Sequence, residues 1–567
     1  MCRMRTEDRR KEKRMINGFL HTEGKKIVDG QGKEVLLTGW GLGNWLLMEG
    51  YMWLGGQARF DRPRRIEAVL EELAGREYME QFWKTFRRDY IRREDIQYMA
   101  QLGYNSVRIP INWRVLMEEG PGIRWKEDGF RLLDNCLEWC EEAGMYAFFD
   151  LHGAPGGQTG ANIDDSIDDV PRLFIDEDSR QKALALWREL AVRYGSREVV
   201  GGYDLLNEPI APYYPGRKDF DHLIPALAQF YRDAIAVIRQ VDKVHLFSLE
   251  GPHWATALDV FNEKYDDNMV LHFHRYAELP HRKILDAYIK KAEEWNIPLW
   301  LGETGENLNE WYAALYPLCI SLGIGYNLWP WKKMACTNSP CSIRKPKDYD
   351  LLMQYVEGGP HPGFEKAQEI LNEYLELIRL ENCDLHPEVT GHVFRQVPFS
   401  MLAADFDELP GKGISYSGTA EENPATDYRE GCGMYLAERD VVWEKRFAFD
   451  CGADRYALKL TAGEFAEYTI SGCEKLTVRL TVTAGAAGSV LVSVRPTGWA
   501  DEGQKMCETI AQKECVIGAG ETSVEASFEL AAAPDRLAAF DRQADDRLTV
   551  RIAGLEGCVI LERLSFE

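Results

Sequence analysis

The sequence predicts an α/β fold, a (β/α)8 TIM barrel, followed by an all-β sandwich domain, and three observations support it. Short apolar runs alternate with segments of helical spacing from residue 35 to about residue 380. Eight of these runs lie between residues 35 and 331, which suits the eight strand–helix units of a closed parallel barrel. After about residue 385 helical spacing gives way to short alternating runs, which are typical of an antiparallel sandwich.

Each barrel strand is predicted from a short apolar run, and each helix from apolar residues that recur three and four positions apart. The strands are expected at residues 35–40, 105–111, 145–152, 199–207, 245–250, 269–276, 299–303 and 325–331. The helices are expected at residues 64–73, from 78 onward, and at 91–102, 130–143, 180–194, 223–240, 284–295, 311–322 and 364–379. A doubly wound open sheet is the alternative, but no G-x-G-x-x-G follows the first strand.

The same patterns divide the chain into a tail and two domains. Residues 1–15 are highly charged and are expected to form a disordered tail. Residues 16–385 are the predicted barrel domain, and residues 390–567 are the predicted sandwich domain. Strand-like runs separated by turns with Gly and Asp support the second domain; they lie at residues 457–460, 465–470, 476–480, 490–494 and 548–552.

Composition and charge exclude several kinds of partner. The chain of 567 residues has 91 acidic and 67 basic side chains, a net charge of −24, so neither nucleic acid nor an anionic membrane is expected to bind. No apolar segment is long enough to span a bilayer, and the charged N-terminus has no signal-peptide pattern. The 13 cysteines are scattered without metal-ligand spacing and are interpreted as reduced core residues. The chain is therefore expected to be cytoplasmic and to need no metal or cofactor.

Two glutamates at the ends of predicted strands carry the functional prediction. Glu208 follows the fourth strand in an Asn-Glu-Pro run, and Glu303 ends the seventh strand in Leu-Gly-Glu-Thr-Gly. Barrel enzymes hold their reacting groups at the carboxyl ends of the strands. Hydrolysis of a glycosidic bond with retention uses one carboxylic acid and one carboxylate about 5–5.5 Å apart. The pair therefore predicts a glycosidase with a proton donor and a nucleophile.

Other side chains lie at or just beyond the ends of the predicted strands, or within the eighth strand, and are expected to converge on the two glutamates. Each alone has a simpler interpretation, such as a surface salt bridge, a buried histidine or core packing, but their shared position at successive strand ends favours one site. Arg108 and Tyr276 are expected to hold Glu303 ionised and oriented. His274 is expected to tune the acid. The full set is Arg108, His152, Asn207, His274, Tyr276 and Trp329, where Asn207 suits a sugar hydroxyl and Trp329 a pyranose face.

This ordered set resembles glycoside hydrolase family 5, the retaining β-glycosidases that carry both glutamates after strands four and seven. Glu208 matches the acid/base position of the family, and Glu303 matches its nucleophile. The other six residues match the remaining active-site positions. The resemblance covers about residues 16–380. It implies a barrel enzyme that cleaves β-glucosidic bonds by double displacement without a cofactor.

Within the family, two segments resemble the exo-β-1,3-glucanase branch. Residues 41–49 (GLGNWLLME) and 150–160 (DLHGAPGGQTG) are similar to its first-strand and third-strand signatures. The resemblance implies that Glu49 holds the terminal glucose. The chain differs from the fungal enzymes of that branch in lacking a signal peptide, in its C-terminal domain and at residues 327–333 (NLWPWKK), so the linkage stays open.

The C-terminal domain resembles a carbohydrate-binding module of the family 6 or 35 type, through residues 463–470 (GEFAEYTI).

The expected substrate of the whole chain is a β-linked oligo- or polysaccharide or a β-glucoside. Endo-β-1,4-glucanase, mannanase and glycosylceramidase activities are alternatives, and exo action requires residues 51–90 and 161–170 to close one end of the cleft. A non-catalytic carbohydrate-binding protein on a degenerate barrel is the competing class, against which the two glutamates and Arg108 argue. No oligomeric state is predicted.

Overall fold

Eight parallel strands close into a barrel in the computed structural model of the chain, which describes residues 15–408, 415–417, 428–429, 432–497, 499–501, 505–506, 508–530 and 547–567. The strands are β1 (Thr38–Gly41), β2 (Ser106–Asn112), β3 (Tyr146–Gly153), β4 (Val200–Asp204), β5 (Leu246–Glu250), β6 (Met269–Arg275), β7 (Leu299–Gly305) and β8 (Gly325–Trp329). Each pairs with the next along the chain, and β8 pairs with β1. The predicted barrel is confirmed. The predicted tail lies outside the described residues, except for Met15.

The barrel strands are buried along their whole length, apart from the last residue of β6. One face of each strand lines the barrel and the other faces the helices, so the sequence shows continuous apolar runs in place of alternation. β4 ends at Asp204, three residues earlier than predicted. Beyond it, Leu205 and Asn207 still donate backbone hydrogen bonds to Ser248 and Leu151. This segment therefore reaches the barrel mouth without regular strand geometry.

Helices cover the outside of the barrel at positions close to those predicted. They span Pro63–Ala74, Arg76–Asp89, Arg93–Leu102, Trp113–Leu116, Glu127–Ala143, Glu177–Tyr194, Ile224–Arg239, Pro252–Ala255, Asp286–Trp295, Asn309–Ser321, Asp350–Val356, Phe364–Leu377 and Pro387–Val393. Their apolar faces turn inward, as Leu133, Leu137 and Cys140 do in one of them. No helix in the described part of the chain is long and apolar enough to cross a membrane.

A short hairpin covers the N-terminal ends of the barrel strands. His21–Glu23 pairs with Lys26–Val28, and Leu20 and Ile27 share a buried cluster with Trp300 of β7. This layer closes one end of the barrel, so the carboxyl ends of the strands form the open end. That end is where barrel enzymes place their active sites.

Antiparallel strands dominate the described part of the chain after residue 398. They are Phe399–Leu402, Tyr435–Glu438, Tyr456–Thr461, Phe465–Ser471, Lys475–Val482, Ala487–Pro496, Trp499–Asp501, Lys505–Met506, Ala511–Ile517, Ser523–Glu529 and Arg547–Phe566. The last of these, 20 residues long, pairs with five of the other described strands. Alternate side chains such as Val490, Val492 and Val494 fill one core. The predicted change from a barrel to antiparallel structure is therefore confirmed.

Candidate active site

Arg108, in β2, connects carboxylates from four other strands. Its fully buried guanidinium donates to Asp204 at 2.7 Å and to Glu250 at 3.0 Å. It also donates to Glu303 and lies 3.2 Å from Asp150. These carboxylates come from β3, β4, β5 and β7. Buried charges are costly unless they are paired and hydrogen-bonded, and the five N–H donors of one guanidinium reach several acceptors at once.

Glu303 lies in β7 with only 5% of its surface exposed. One carboxylate oxygen accepts a hydrogen bond from Arg108, and the other accepts one from the Tyr276 hydroxyl at 2.7 Å. The preceding residue has to be glycine, since a Cβ on Gly302 would lie 2.0 Å from the ring of His272 on β6. The glycine of the Leu-Gly-Glu run therefore allows a histidine to pack against β7 beside the carboxylate.

Glu208 lies beyond the end of β4 in a left-handed backbone conformation, with φ of 43°. Residues other than glycine rarely adopt this conformation, and those that do are often found at functional sites. Its backbone N–H donates to Glu250 at 2.6 Å, and its Oε1 lies 2.7 Å from Nδ1 of His274. One bond holds the backbone and the other holds the carboxyl group, so this unusual conformation is fixed at both points.

The carboxyl groups of Glu208 and Glu303 come close together at the barrel mouth. One carboxylate oxygen of each, and one ring nitrogen of His274, all lie within 4.8 Å of one another. Retaining glycosidases hold their two carboxyl groups about 5–5.5 Å apart, whereas inverting enzymes leave about 6.5–9.5 Å for a water molecule. The separation therefore fits direct attack by one glutamate on a substrate carbon.

His152 and Asn207 link Arg108 to an aromatic side chain. Asn207 accepts from Arg108 at 2.7 Å, and its Nδ2 donates to Nε2 of His152 at 3.1 Å. Since an amide nitrogen only donates, the proton of His152 is on Nδ1, which donates to Asp150 at 2.7 Å. Burial lowers the pKa of His152 to about 3, so the ring is neutral. It stacks on Trp329 with the ring centroids 5.1 Å apart.

Trp329, at the end of β8, is positioned by two glycines, one at the end of β1 and one just beyond it, and by one hydrogen bond. A Cβ on Gly41 would lie 2.4 Å from its ring, and one on Gly43 would lie 2.8 Å from it. The indole N–H donates to the hydroxyl of Tyr51 at 3.0 Å. The Gly-Leu-Gly run therefore makes room for a flat aromatic face at the mouth of the barrel.

All eight residues expected at the strand ends thus lie in one network at the open end: Arg108, His152, Asn207, Glu208, His274, Tyr276, Glu303 and Trp329. Residues 72–334 match the family model described as Cellulase (glycosyl hydrolase family 5). The barrel is a glycosyl hydrolase family 5 domain. The family predicted for the barrel is therefore confirmed.

Two curated relatives and one solved structure are similar to the chain that carries this family 5 domain. A β-xylosidase of Phanerodontia chrysosporium is 30% identical over 307 residues, which are 51% of this chain and 61% of the relative. A glucan 1,3-β-glucosidase of Candida oleophila is 28% identical over 307 residues, which are 49% of this chain and 68% of the relative. The chain thus spans less than two thirds of the first relative. A crystal structure of an endogalactoceramidase aligns with 96% of this chain and 99% of that chain, at 15% identity and a TM-score of 0.43.

His274 is the second positive group of the family 5 site. Burial disfavours its charged form, but the carboxylates of Glu250 and Glu303 outweigh burial and raise the pKa of His274 well above its ordinary value. Protonated His274 donates from Nδ1 to Glu208, and its Nε2 lies 3.1 Å from Nε2 of His272. Two groups of carboxylates and histidines here have metal-binding spacing, and both include His274. Both ring nitrogens of His274 already have hydrogen-bond partners, Glu208 and His272.

Glu303 is held in its charged form. Burial alone would raise the pKa of Glu303, but His274 and Arg108 outweigh burial and lower it below its ordinary value. The hydrogen bond from Tyr276 lowers it further. A lowered pKa keeps the carboxylate ionised in mildly acidic solution, which is the state that a nucleophile requires.

Replacing Tyr276 by Phe should shift the acidic limb of the kcat/KM profile to higher pH. The substitution removes a hydrogen bond to the charged form of Glu303, so the pKa of Glu303 rises and the carboxylate is protonated at a higher pH. A hydrogen bond to a charged group contributes about 1.5–3 kcal/mol, which is about 10- to 150-fold in kcat/KM. Rates on an aryl β-glucoside from about pH 4 to pH 8 measure both effects. Tyr78→Phe, which removes a hydroxyl bonded to Asn372 on the helical surface, is the control. An acidic limb at the same pH in Tyr276→Phe as in wild type would contradict the prediction.

Glu49, which the resemblance assigns to the terminal sugar, lies beside this network and is 4% exposed. Burial, followed by the charges of Glu303 and Glu306, raises the pKa of Glu49 well above its ordinary value. Lys333 pairs with Glu306 and lies over the ring of Tyr51, 5.6 Å from its centroid. A mixed group of acidic, basic and aromatic side chains therefore borders Glu303 on this side.

The two segments expected to close one end of the cleft are bonded to each other. Arg62, within residues 51–90, donates to the hydroxyl of Ser166 at 2.7 Å. Arg64 donates twice to Asp165. Its backbone N–H donates to the Asp165 carboxylate at 2.9 Å, and its side chain donates to the Asp165 carbonyl at 2.8 Å. The loop at residues 161–170, after β3, is therefore hydrogen-bonded to residues 51–90, after β1.

The sequence patterns did not indicate the buried ionisable residues that hold the predicted ones. Asp150, Asp204, Glu250 and His272 are fully buried and lie within strands, not after them. Their signal was a charge inside an apolar run, as in Leu-Phe-Ser-Leu-Glu at residues 246–250. Aspartate and glutamate are almost never fully buried unless they are paired, so each of these carboxylates indicates a partner elsewhere.

Proposed function

We propose that the chain is a retaining β-glycosidase that removes sugars from the ends of β-glucans, β-linked oligosaccharides or β-glucosides. The observation that carries this proposal is the approach of the Glu208 and Glu303 carboxyl oxygens within 4.8 Å, which suits retention. The family 5 domain supports the same class, as do the relatives named β-xylosidase and glucan 1,3-β-glucosidase.

In the first step, the ionised carboxylate of Glu303 attacks the anomeric carbon while Glu208 donates its proton to the leaving oxygen. The bond to the leaving group breaks, and a glycosyl ester with Glu303 forms. In the second step, Glu208 takes a proton from water, which attacks the same carbon and releases Glu303. Two inversions at one carbon give net retention.

The surrounding residues suit the changes of charge in these steps. Arg108 and Tyr276 both donate to Glu303, so they stabilise the carboxylate when it is released from the glycosyl ester. His274 donates to Glu208 and stabilises the charge that Glu208 acquires on losing its proton. Both glutamates therefore have donors arranged for their ionised forms before substrate binds.

Action at chain ends is supported by the bonds between the two segments that would close one end of the cleft. Residues 51–90, after β1, are hydrogen-bonded to the loop at residues 161–170, after β3, through Arg62 and Arg64. The same loop region reaches the acid, because Thr159 donates to the carbonyl of Glu208 at 2.7 Å. We propose that Glu49, on the side of the nucleophile, binds hydroxyls of the terminal sugar.

Hydrolysis of β-1,3-, β-1,4- and β-1,6-linked gluco-oligosaccharides, with aryl β-xyloside and β-mannoside for comparison, tests the proposal. NMR spectra taken during the first minutes are expected to show the β-anomer of a single released sugar. First release of the α-anomer would contradict retention, and longer internal fragments would contradict action at chain ends. Binding of these sugars with no product from any of them would favour the non-catalytic class.

A further inference from the structure

An aromatic side chain of the antiparallel region contacts the catalytic site. The ring of Phe449 lies on the ring of Tyr276 with centroids 4.5 Å apart and planes inclined by 36°. Tyr276 in turn donates to Glu303. Two neighbours of this phenylalanine, Phe447 and Cys451, pack against the core of the barrel. Only one side chain therefore separates the C-terminal region from the nucleophile.

Asn307 fixes this contact through its side-chain amide. The residue follows β7 and is fully buried. Its Nδ2 donates to the carbonyl of Tyr276 at 3.0 Å and to the carbonyl of Phe449 at 2.8 Å. Its Oδ1 accepts from the backbone N–H of Leu308 at 2.8 Å. Both hydrogens of one buried amide thus join the backbones that carry the two rings, which sets their separation.

The segment that carries Phe449 is also held within its own region, and that region is in turn paired with the barrel helix that precedes β8. Asp450 accepts two hydrogen bonds from Arg446, from the backbone and the side chain, both at 3.2 Å. Arg563, on the strand Arg547–Phe566, pairs with Glu310 of the helix Asn309–Ser321. The position of Phe449 is therefore imposed by contacts on both sides of the interface.

From these contacts we infer that Phe449 is a positioning residue of the active site, whose ring keeps the hydroxyl of Tyr276 on Glu303. The inference rests on the proposed glycosidase function. Tyr276 follows β6 directly and lies outside any strand, so packing must restrict its ring. Without Phe449 one face of that ring loses its support and the ring gains rotational freedom. The C-terminal region is then a part of the catalytic site, in addition to the sugar-binding role that its resemblance implies.

A purely structural role for Phe449 predicts a different result. If the ring only stabilised the interface between the two regions, its loss would have the same effect whether or not Tyr276 kept its hydroxyl. If it acts through Tyr276, its effect on catalysis requires that hydroxyl. Residues in contact give non-additive effects that a double-mutant cycle measures.

The test compares wild type, Phe449→Ala, Tyr276→Phe and the double variant on an aryl β-glucoside. Aromatic pairs of this kind contribute about 2- to 12-fold in an equilibrium constant, and we expect a loss of that size in kcat/KM for Phe449→Ala. The acidic limb of its pH profile should move in the same direction as that of Tyr276→Phe. In the Tyr276→Phe background, Phe449→Ala should cost less than about twofold. Phe449→Tyr, which keeps a ring, should restore most of the activity.

Trp443→Ala is the matched control. This aromatic residue lies, like Phe449, between the strands Tyr435–Glu438 and Tyr456–Thr461, and it is 36% exposed. The kcat/KM of this variant should match that of wild type. Equal losses from Phe449→Ala in both backgrounds, with wild type active, would overturn the inference and leave the proposed function in place. An inactive wild type would overturn the proposed function. In that case a double-mutant cycle of Phe449→Ala and Tyr276→Ala, measured by urea unfolding, tests the contact itself. Additive effects of the two substitutions on the unfolding equilibrium would overturn the inference as well.

Discussion

Replacing Glu303 by Gln should abolish turnover of an aryl β-glucoside while the barrel remains folded. The amide cannot attack the anomeric carbon, and Glu208 is committed to proton transfer. Gln has nearly the same size, and its amide oxygen can still accept from Arg108 while its NH2 group donates to the Tyr276 hydroxyl, so the network loses a charge but keeps its packing. Loss of a covalent nucleophile costs about 10⁴- to 10⁶-fold in kcat. This is the largest effect that the site predicts for a single substitution.

Initial rates and mass spectrometry together check this prediction. A 2-deoxy-2-fluoro β-glucoside with an activated leaving group should form a covalent adduct on the wild-type peptide that contains Glu303, because the fluorine slows release of the ester. The Gln variant should form none. Glu293→Gln, at an exposed glutamate paired with Lys25, should behave as wild type. Turnover by the Glu303 variant above about one hundredth of wild type would remove Glu303 from the role of nucleophile.

The barrel and the two glutamates were predictable because parallel strands leave a strong local signal. A strand buried on both faces reads as a short apolar run, so β7, predicted at residues 299–303, is found at Leu299–Gly305. The order of strands in such a barrel follows the order in the chain, so the residues at successive strand ends had to meet at one mouth. The convergence on Arg108 followed from topology without any knowledge of side-chain conformations.

The contacts that tune the site were not predictable, because they depend on tertiary geometry. Whether Glu250 reaches Arg108 depends on the register of β5 in the barrel, which no local pattern specifies. The left-handed backbone of Glu208 is imposed by its bonds to other strands and leaves no mark in the Asn-Glu-Pro run. Phe449 lies in the antiparallel region, far along the chain from Tyr276, which it contacts. In the sequence it is one apolar residue in a stretch without periodicity.

Replacing Glu208 by Ala should slow the reaction by an amount that depends on the leaving group. General acid catalysis contributes about 10²- to 10⁴-fold, and this loss should appear in full for a glucoside whose alkoxide leaves poorly. A dinitrophenolate leaves without a proton, so formation of the glycosyl ester on Glu303 should stay fast. Release of that ester should then limit turnover, because no general base activates water. Burst kinetics with the dinitrophenyl substrate measure the change in the limiting step.

Azide separates the roles of the two glutamates by the stereochemistry of its product. In Glu208→Ala the deleted side chain leaves space beside the ester on Glu303, and azide needs no base to attack from that side. Turnover of the dinitrophenyl substrate should therefore rise with azide concentration and give the β-glycosyl azide. In Glu303→Ala azide would replace the nucleophile itself and give the α-glycosyl azide. The same anion should thus produce opposite anomers in the two variants, and an α product from Glu208→Ala would exchange the two assignments.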